Sequence, residues 1–320
     1  MSVIVNNTFV DISVVIPVYK SQDCLSELAK RLTDVLDGLG KSYEIVLVND
    51  CSPDGSWEKI VELSNIYDKI KGVNLRKNFG QDCAIMAGLN NSSGKCVIIM
   101  DDDLQHDPAD IPALYNGLDG YDVCYALFES KKQSWFKNLG SWFNGKVAEI
   151  VIKKPQKIYL SPFKAIKREV INEIIKYDGP YPYIDGLLFR TTRNISQVKI
   201  EHHGRYAGKG NYNLIKSIRV WMRLATNFSV LPLRIATILG FIASIIGFLL
   251  ALYFIIRHFL NGRAPVGWAS LIITLLFMGG IQLIAIGAVG EYIGRLFMFY
   301  GKEPQFIIRE IIGNSIDNQK

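Results

Sequence analysis

The sequence predicts an α/β protein with a mostly parallel sheet, followed by an interfacial amphipathic helix and a two-helix transmembrane hairpin. Short β-branched runs alternate with segments of helical periodicity in the N-terminal third, and this alternation is typical of βαβ units. Beyond residue 212, a basic amphipathic segment precedes two long uncharged runs. Hydrophobic residues make up 49% of the chain and charged residues 21%, a balance that excludes a disordered protein.

Four apolar runs, each ended by polar or turn residues, are predicted as buried parallel strands. They span residues 12–19, 43–48, 72–75 and 96–100. Apolar periodicity predicts helices between them at 22–39, 57–67 and 82–89. The alternation then weakens, with strands predicted at 121–127 and 197–202 and helices at 134–152 and 168–175. The carboxyl ends of the four parallel strands should meet at one edge of the sheet, where such sheets bind ligands.

Three consecutive carboxylates, Asp101, Asp102 and Asp103, follow the fourth strand. They repel one another unless a cation neutralises them, and hard oxygen ligands suit Mg²⁺ or Mn²⁺. The alternatives are a solvated acidic turn or a helix N-cap supplied by Asp107. Tyr19 and Asp50 end the first and second strands, so a nucleotide would find an aromatic edge and a carboxylate there. The absence of a Gly-x-Gly-x-x-Gly or Gly-Lys-Ser/Thr loop argues against a dinucleotide-binding fold or a P-loop.

The net charge of +6 suits an anionic membrane surface or a phosphate-bearing substrate. Nucleic acid is not an expected partner, because no strand interleaves aromatic and basic residues. The five cysteines are odd in number and lack metal-type spacing, which predicts reduced thiols in the cytosol. No charged segment followed by an apolar core opens the chain, so a cleavable signal peptide is not expected.

The C-terminal part of the chain is predicted to associate with a membrane. Segment 213–234 places apolar residues on one face and lysine and arginine on another, as in an interfacial helix; the alternative is an ordinary surface helix. The uncharged runs 235–256 and 268–289 each reach about 33 Å, enough to cross a bilayer; the alternative is a buried hairpin of a soluble protein. Small residues spaced four apart could pack the hairpin or join subunits of a homo-oligomer.

The predicted organisation is therefore a cytoplasmic domain at 1–212, the interfacial segment, a transmembrane hairpin at 235–295 and a cytoplasmic tail at 296–320. A hairpin leaves both flanking segments on the same side of the membrane. Basic residues are more numerous on that side than in the short linker between the runs, which favours a cytoplasmic location for the large domain.

Several short motifs resemble those of one known family. They are Val14-Val15-Ile16-Pro17-Val18-Tyr19, Val48-Asn49-Asp50, Arg76-x-Asn78-Phe79-Gly80, Ala84-x-Met86-x-Gly88, Met100-Asp101-x-Asp103-Leu104-Gln105, Leu231-Pro232-Leu233-Arg234 and Gly290-Glu291-Tyr292-Ile293-Gly294-Arg295. With the two apolar runs, they make the chain similar to the polyisoprenyl-phosphate glycosyltransferases of family 2. This family has the GT-A fold and includes dolichol-phosphate mannose synthases, bactoprenol glucosyltransferases and undecaprenyl-phosphate aminoarabinose transferases.

The resemblance implies an inverting, metal-dependent glycosyltransferase of the inner membrane. It would move a sugar from a nucleotide-diphosphate sugar, with UDP favoured, to a polyisoprenyl phosphate such as undecaprenyl phosphate, for modification of a cell-envelope glycan. The implied nucleotide-binding residues are Pro17, Tyr19, Asp50, Asp82 and Asp101. The implied catalytic residues are Asp101 and Asp103, which with Gln105 would ligate Mg²⁺ or Mn²⁺. The candidate residues for the acceptor phosphate are Lys131, Lys137, Lys164, Arg205 and Lys209, although each lysine alone could be a solvated surface charge.

The chain departs from the family pattern at a few positions. Lys20-Ser21 replaces the usual Asn-Glu, Cys51 replaces the glycine of Asp-Gly-Ser, and Ser161-Pro162-Phe163-Lys164 replaces Gly-Asp-Phe-Arg. Two alternatives to the enzyme remain from sequence: a catalytically silent membrane scaffold that binds a nucleotide sugar, and a processive polysaccharide synthase. The synthase needs more spans and usually a Gln-x-x-Arg-Trp motif, which this chain lacks.

Overall fold

The structure, a computed structural model, describes residues 10–128, 158–200, 267–301 and 303–313, together with isolated helical positions between 238 and 260. The chain divides into two compact units, Met1–Asn211 with Lys302–Lys320, and Tyr212–Gly301. The predicted helix at 134–152 and the interfacial segment 213–234 lie outside the described residues.

The strands and helices of the described residues alternate along the chain as far as β5. The strands are β1 Ile12–Val18, β2 Tyr43–Asn49, β3 Ile70–Leu75, β4 Cys96–Ile99, β5 Val123–Phe128, β6 Lys164–Lys167, β7 Ile195–Ile200 and β8 Ile308–Ile312. The α-helices are α1 Gln22–Gly38, α2 Ser56–Ile66, α3 Gln81–Asn90, α4 Ile111–Asn116, α5 Arg168–Ile174, α6 Ile184–Thr191 and α7 Trp268–Tyr300. A 3₁₀ helix, Pro108–Asp110, precedes α4.

All eight strands form one sheet in the order β7-β5-β6-β4-β1-β2-β3-β8. Its centre is the parallel group β4-β1-β2-β3, which confirms the four predicted parallel strands. Every residue of β1 and β4 is buried, as expected of strands that are almost entirely apolar and have helices on both faces. Val18 pairs with Asn49, and Asn49 pairs with Asn74, so β1, β2 and β3 end at the same edge.

Helix α3 packs closely against the parallel strands at Gly88. A Cβ atom on Gly88 would lie 2.3 Å from Cγ1 of Val15 and 3.0 Å from Cγ2 of Val48. Cys83 to Leu89 are all buried, so no face of this part of the helix is open to solvent. The close packing sets the position of the N-terminal end of α3, where Gln81 and Asp82 lie.

Two antiparallel strands of the sheet were not predicted from the sequence. The four-residue strand β6 pairs with both β4 and β5, and it is too short to give a periodic signal. Strand β8 pairs with β3 and falls in the predicted C-terminal tail, 296–320. Part of that segment therefore completes the sheet, and its first residues belong to α7, which ends at Tyr300.

Helix α7 contains the predicted second apolar span. It has 33 residues and so measures about 50 Å. Its window Phe277–Gly294 has a mean hydropathy of 1.3, and none of that window is buried. Among the described residues, α7 is the one helix long and apolar enough to cross a membrane. Only isolated positions of the first span, 235–256, are described, so the two-helix hairpin stays a prediction.

Candidate active site

A cavity of about 380 Å³ opens at the carboxyl edge of the parallel strands. Its lining comes from the ends of β1, β2 and β4, the loop after β3 and the start of α3. The lining residues are Pro17, Val18, Tyr19, Asp50, Asn78, Gly80, Gln81, Asp101, Asp102 and Asp103. The fold therefore brings together five residues that the sequence analysis selected: Pro17, Tyr19, Asp50, Asp101 and Asp103.

Asp50 joins the end of β2 to the loop that follows β3. Its Oδ1 accepts a hydrogen bond from the Phe79 backbone N–H at 2.7 Å, and its Oδ2 accepts one from Gly80 N–H at 2.9 Å. Burial raises the pKa of this carboxyl group, while the two backbone hydrogen bonds oppose that rise. Asp50 thus shapes the cavity wall through the loop, a role that its position at a strand end did not predict.

Each carboxylate of the acidic triplet is oriented by a different element. Asp101 Oδ1 accepts a hydrogen bond from Gln81 Nε2 at 2.8 Å, and Asp102 Oδ2 accepts one from Tyr19 N–H at 3.1 Å. Asp103 Oδ1 accepts one from the Gln105 backbone N–H at 3.1 Å. All three carboxylates of the predicted acidic triplet line the cavity, although only Asp101 and Asp103 were given catalytic and metal-binding roles from the sequence.

The triplet carries more negative charge than its protein surroundings neutralise. Burial raises the pKa of Asp101 to about 6, and the negative charges of Asp103 and Asp102 contribute to the rise. The positive charge of Lys164 and the hydrogen bond from Gln81 oppose it. Within the described residues, no three His, Cys, Asp or Glu side chains form a group that could hold a metal ion by themselves.

The residues after the triplet hold the loop in place. The Asp101 backbone N–H donates to Nδ1 of the buried His106 at 3.3 Å. The His106 ring stacks on Phe128 and Phe163, with centroid distances of 5.5 and 5.2 Å. Asp107 caps the 3₁₀ helix by accepting a hydrogen bond from Ala109 N–H at 3.0 Å. The N-cap alternative is therefore correct for Asp107, while the triplet itself lies in the cavity.

Backbone strain concentrates around the cavity. Among the described residues, the non-glycine residues with left-handed backbones are Lys20, Cys51 and Leu104, with φ values of 61°, 52° and 57°. Each lies within a few residues of the end of a strand that lines the cavity. Such conformations persist only where the surroundings enforce them, and they are common at functional sites.

Lys164 lies beside the cavity in a buried group of charged and phenolic side chains. It forms an ion pair with Asp185 of α6, and its Nζ lies 5.0 Å from the centroid of the Tyr125 ring. The Tyr125 hydroxyl donates to Asp185 Oδ1 at 2.8 Å. The structure thus excludes the interpretation of Lys164 as a solvated surface charge. Asp185 was missed because α6 was not predicted, and Tyr125 was missed because its place on the predicted strand 121–127 does not reveal its contact with Asp185.

Asp82 belongs to this buried group rather than to the lining of the cavity. Its Oδ1 accepts a hydrogen bond from Ile184 N–H at 3.4 Å. Burial raises its pKa to about 6, and the charge of Asp185 adds to the rise. Gln105 contributes its backbone N–H to Asp103 and is not among the residues that line the cavity. Lys131, Lys137, Arg205 and Lys209 lie outside the described residues.

Comparison with known proteins places this site in a family. Residues 13–175 match the model of glycosyl transferase family 2. The chain is 34% identical over 305 residues to an undecaprenyl-phosphate 4-deoxy-4-formamido-L-arabinose transferase of Edwardsiella ictaluri, and the match covers 94% of each chain. It is also 32% identical to an uncharacterised glycosyltransferase of Synechocystis sp., with 95% of this chain and 96% of that protein covered.

Solved structures share the fold at lower identity. Glucosyl-3-phosphoglycerate synthase from Mycobacterium tuberculosis, in complex with Mn²⁺, UDP and phosphoglyceric acid, superposes with a TM-score of 0.53 at 17% identity. That match covers 68% of this chain and 76% of the synthase. The same enzyme with Mn²⁺ and UDP-glucose as well as phosphoglyceric acid gives a TM-score of 0.50 at 15% identity, covering 68% of this chain and 78% of that one. The family match and the full-length relatives together show that the chain is a glycosyltransferase that belongs to glycosyl transferase family 2.

Proposed function

We propose that the protein transfers a sugar from a nucleotide-diphosphate sugar to undecaprenyl phosphate or a similar polyisoprenyl phosphate. A UDP-sugar is the favoured donor. The observation that carries this proposal is the cavity lined by Tyr19, Asp50 and the acidic triplet, in a chain that is similar along 94% of its length to an undecaprenyl-phosphate sugar transferase. The transfer inverts the anomeric carbon and takes place at the cytoplasmic face of the inner membrane.

The donor nucleoside would bind between Tyr19 and Asp50. Tyr19 is 45% exposed, so part of its surface is available for contact with a base or ribose. Asp50 also lines the cavity and fixes the backbone of Phe79 and Gly80. Pro17 lines the same cavity and is the third residue proposed to contact the nucleoside.

The acidic triplet fits a divalent cation. Its partly buried carboxylates repel one another, and this repulsion contributes to the raised pKa of Asp101. Mg²⁺ is commonly bound by one or two carboxylates together with substrate phosphates, which agrees with a site that is incomplete without a donor. Asp101 and Asp103 would hold Mg²⁺ or Mn²⁺, with Gln105 as a further ligand. When bound, the cation stabilises the charge of the departing diphosphate.

The acceptor needs positioning more than deprotonation. A phosphate monoester has a second pKa of about 6, so its attacking oxygen is mostly ionised at neutral pH and a strong general base is unnecessary. The protein must instead align the phosphate and balance its charge. Lys131, Lys137, Arg205 and Lys209 are proposed for this role. Lys164 is already paired with Asp185, so it supports the site from behind the triplet and is the weakest of the five candidates.

The lipid acceptor requires the site to lie near a bilayer. Helix α7 is long and apolar enough to cross one, which supports a membrane-anchored enzyme. The proposed anchor is the hairpin of spans 235–256 and 268–289, preceded by the interfacial segment 213–234. With two spans, the domain at 1–212 and the C-terminal segment share the cytoplasmic side.

The proposal is tested by incubating the purified full-length protein with Mg²⁺, undecaprenyl phosphate and a panel of labelled UDP- and GDP-sugars. We expect a chloroform-soluble labelled product with one donor of the panel. Asp103→Asn should lower the rate by about a hundredfold or more, as expected when a metal ligand or its charge is lost. Asp107→Asn is the matched control, because Asp107 caps a helix outside the cavity. Nucleotide binding without any lipid product would favour the scaffold alternative for this chain.

A further inference from the structure

A chain of hydrogen bonds runs across three strands from the C-terminal segment to the loops of the cavity. On the edge strand β8, Glu310 faces Asn74 of β3, and its Oε1 accepts a hydrogen bond from Asn74 Nδ2 at 3.1 Å. Asn74 Oδ1 accepts one from Nδ2 of Asn49 at 2.9 Å. Asn49 Oδ1 accepts one from the backbone N–H of Ser52 at 3.2 Å. Asn49 and Asn74 are 2% and 4% exposed, so water cannot readily replace these bonds.

The donor-to-acceptor direction of these linked hydrogen bonds depends on Glu310. A side-chain amide has one donor end and one acceptor end, whereas an ionised carboxylate only accepts. Asn49 must present its oxygen to the Ser52 N–H, which turns its nitrogen towards Asn74 and forces Asn74 to present its own nitrogen to β8. Glu310 is the acceptor that completes this order. Without it, a buried amide would lose its partner or rotate and break the bond to Ser52.

At the Ser52 end, this series of hydrogen bonds holds two strained loops together. The Ser52 hydroxyl accepts a hydrogen bond from the Lys20 N–H at 3.1 Å, so it joins the loop after β2 to the loop after β1. Lys20 and the neighbouring Cys51 both have left-handed backbones, which need such support. Tyr19 and Asp50, which line the cavity, directly precede these two residues.

The segment of β8 also reaches the third loop of the cavity. The backbone oxygen of Ile307 accepts a hydrogen bond from the Arg76 N–H at 2.8 Å. Arg76 begins the loop whose Phe79 and Gly80 N–H groups bind Asp50. The C-terminal segment is thus bonded directly to one cavity loop and indirectly to two others.

We propose that Glu310 is a positioning residue for donor binding, acting through Asn74, Asn49 and Ser52 on the loops that carry Tyr19 and Asp50. The predicted effect of Glu310 on donor binding rests on the proposed function. The predicted effect of Glu310 on the loops does not depend on that function. Strand β8 is accordingly part of the donor site as well as an edge of the sheet.

Hydrogen exchange on the full-length protein tests the positioning without any ligand. Glu310→Leu should speed exchange of the Ser52 and Lys20 amides by about fivefold, the effect of losing one hydrogen bond of ordinary strength. Glu310→Gln keeps an acceptor oxygen and should leave these amides near the wild-type rate. Arg309→Gln, on the neighbouring residue of β8, is the matched control. Faster exchange confined to β8, with Ser52 and Lys20 unchanged, would overturn the inference.

A reversal of the bond between residues 74 and 310 provides a second test. Asn74→Asp alone places two carboxylates opposite each other and should loosen the same amides. Adding Glu310→Gln supplies a donor to the new carboxylate, which would still accept from Asn49, so the double variant should recover protection. Equal exchange in the single and double variants would contradict the proposed chain. The comparison of the single and double variants also tests the inference if Glu310→Leu does not fold.

The consequence for the donor is measured by titrating UDP and by the transfer assay. Glu310→Leu should weaken UDP binding and raise the donor KM by about five- to tenfold, with kcat little changed, and Glu310→Gln should restore both. A fall in kcat at unchanged donor KM would overturn the link to donor binding. If exchange responds as expected but the wild-type protein binds no nucleotide, the positioning of the loops stands and the proposed function fails.

Discussion

Replacing Lys164 by methionine should destabilise the domain strongly, because it leaves Asp185 buried without its cation. The two side chains of this pair are only 4% and 16% exposed. Removing one partner of a buried ion pair typically costs about 3–5 kcal/mol. For a domain of this size, each kcal/mol lowers the melting temperature by about 2–4 °C, so we expect a fall of at least about 6 °C. Thermal unfolding of the full-length protein, followed by tryptophan fluorescence, measures it.

Two controls make this measurement specific. Lys176→Met removes a pair with Glu173 whose side chains are 67% and 55% exposed, and such pairs contribute at most about 1 kcal/mol. In the double variant Lys164→Met with Asp185→Asn, the buried charge is gone while an oxygen remains for the Tyr125 hydroxyl, so much of the lost stability should return. A Lys164→Met melting temperature within 1–2 °C of that of Lys176→Met, a margin of roughly 1 kcal/mol or less, would refute the buried pair. Lys164 would then be available for the acceptor phosphate.

Three further predictions concern stability. Folding raises the pKa of Asp82 from 3.8 to about 6, so the free energy of unfolding should fall as pH rises through that window. Asp82→Asn should flatten this dependence on pH and raise the free energy of unfolding by roughly 1–3 kcal/mol at neutral pH. Cys51→Gly should stabilise the protein by about 0.5–1 kcal/mol in denaturant titrations by relieving a left-handed backbone; no gain would mean that the backbone is unstrained. Gly88→Ala should cost about 1–3 kcal/mol, and less when Val15→Ala removes the clashing methyl group; equal costs in both backgrounds would contradict the clash.

The parallel centre of the fold could be predicted because its strands are buried on both faces. A strand such as β1, with every residue buried, has an almost entirely apolar sequence, and that signal is visible without a structure. The edge strand β8 is largely exposed, so its Ile-Arg-Glu-Ile-Ile sequence could belong to a tail or a strand. Its place beside β3 depends on pairing across more than two hundred residues, which no local pattern records.

The site residues that follow the ends of parallel strands could be predicted from the sequence. Tyr19, Asp50, Asp101 and Asp103 follow parallel strands, and the topology of the sheet alone brings them to one cavity. Contacts between distant parts of the domain could not be predicted, because neither the Lys164–Asp185 pair nor the hydrogen bonds of Asp50 to the backbone produce a local sequence pattern. The contact of Asp82 with Ile184 could not be predicted either, because Ile184 lies in a helix that the sequence did not reveal.

The dependence of donor binding on a divalent cation and on the acidic triplet tests the central claim most directly. We would titrate Mn²⁺ into the full-length protein with and without UDP and follow free Mn²⁺ by electron paramagnetic resonance. Because binding couplings are reciprocal, Mn²⁺ and UDP should each tighten the other by about tenfold or more. Asp103→Asn should abolish that coupling, and Asp107→Asn should leave it intact. UDP binding that is equally tight in the presence of EDTA, or unchanged in Asp103→Asn, would contradict the claim that these carboxylates and a metal ion hold the donor diphosphate.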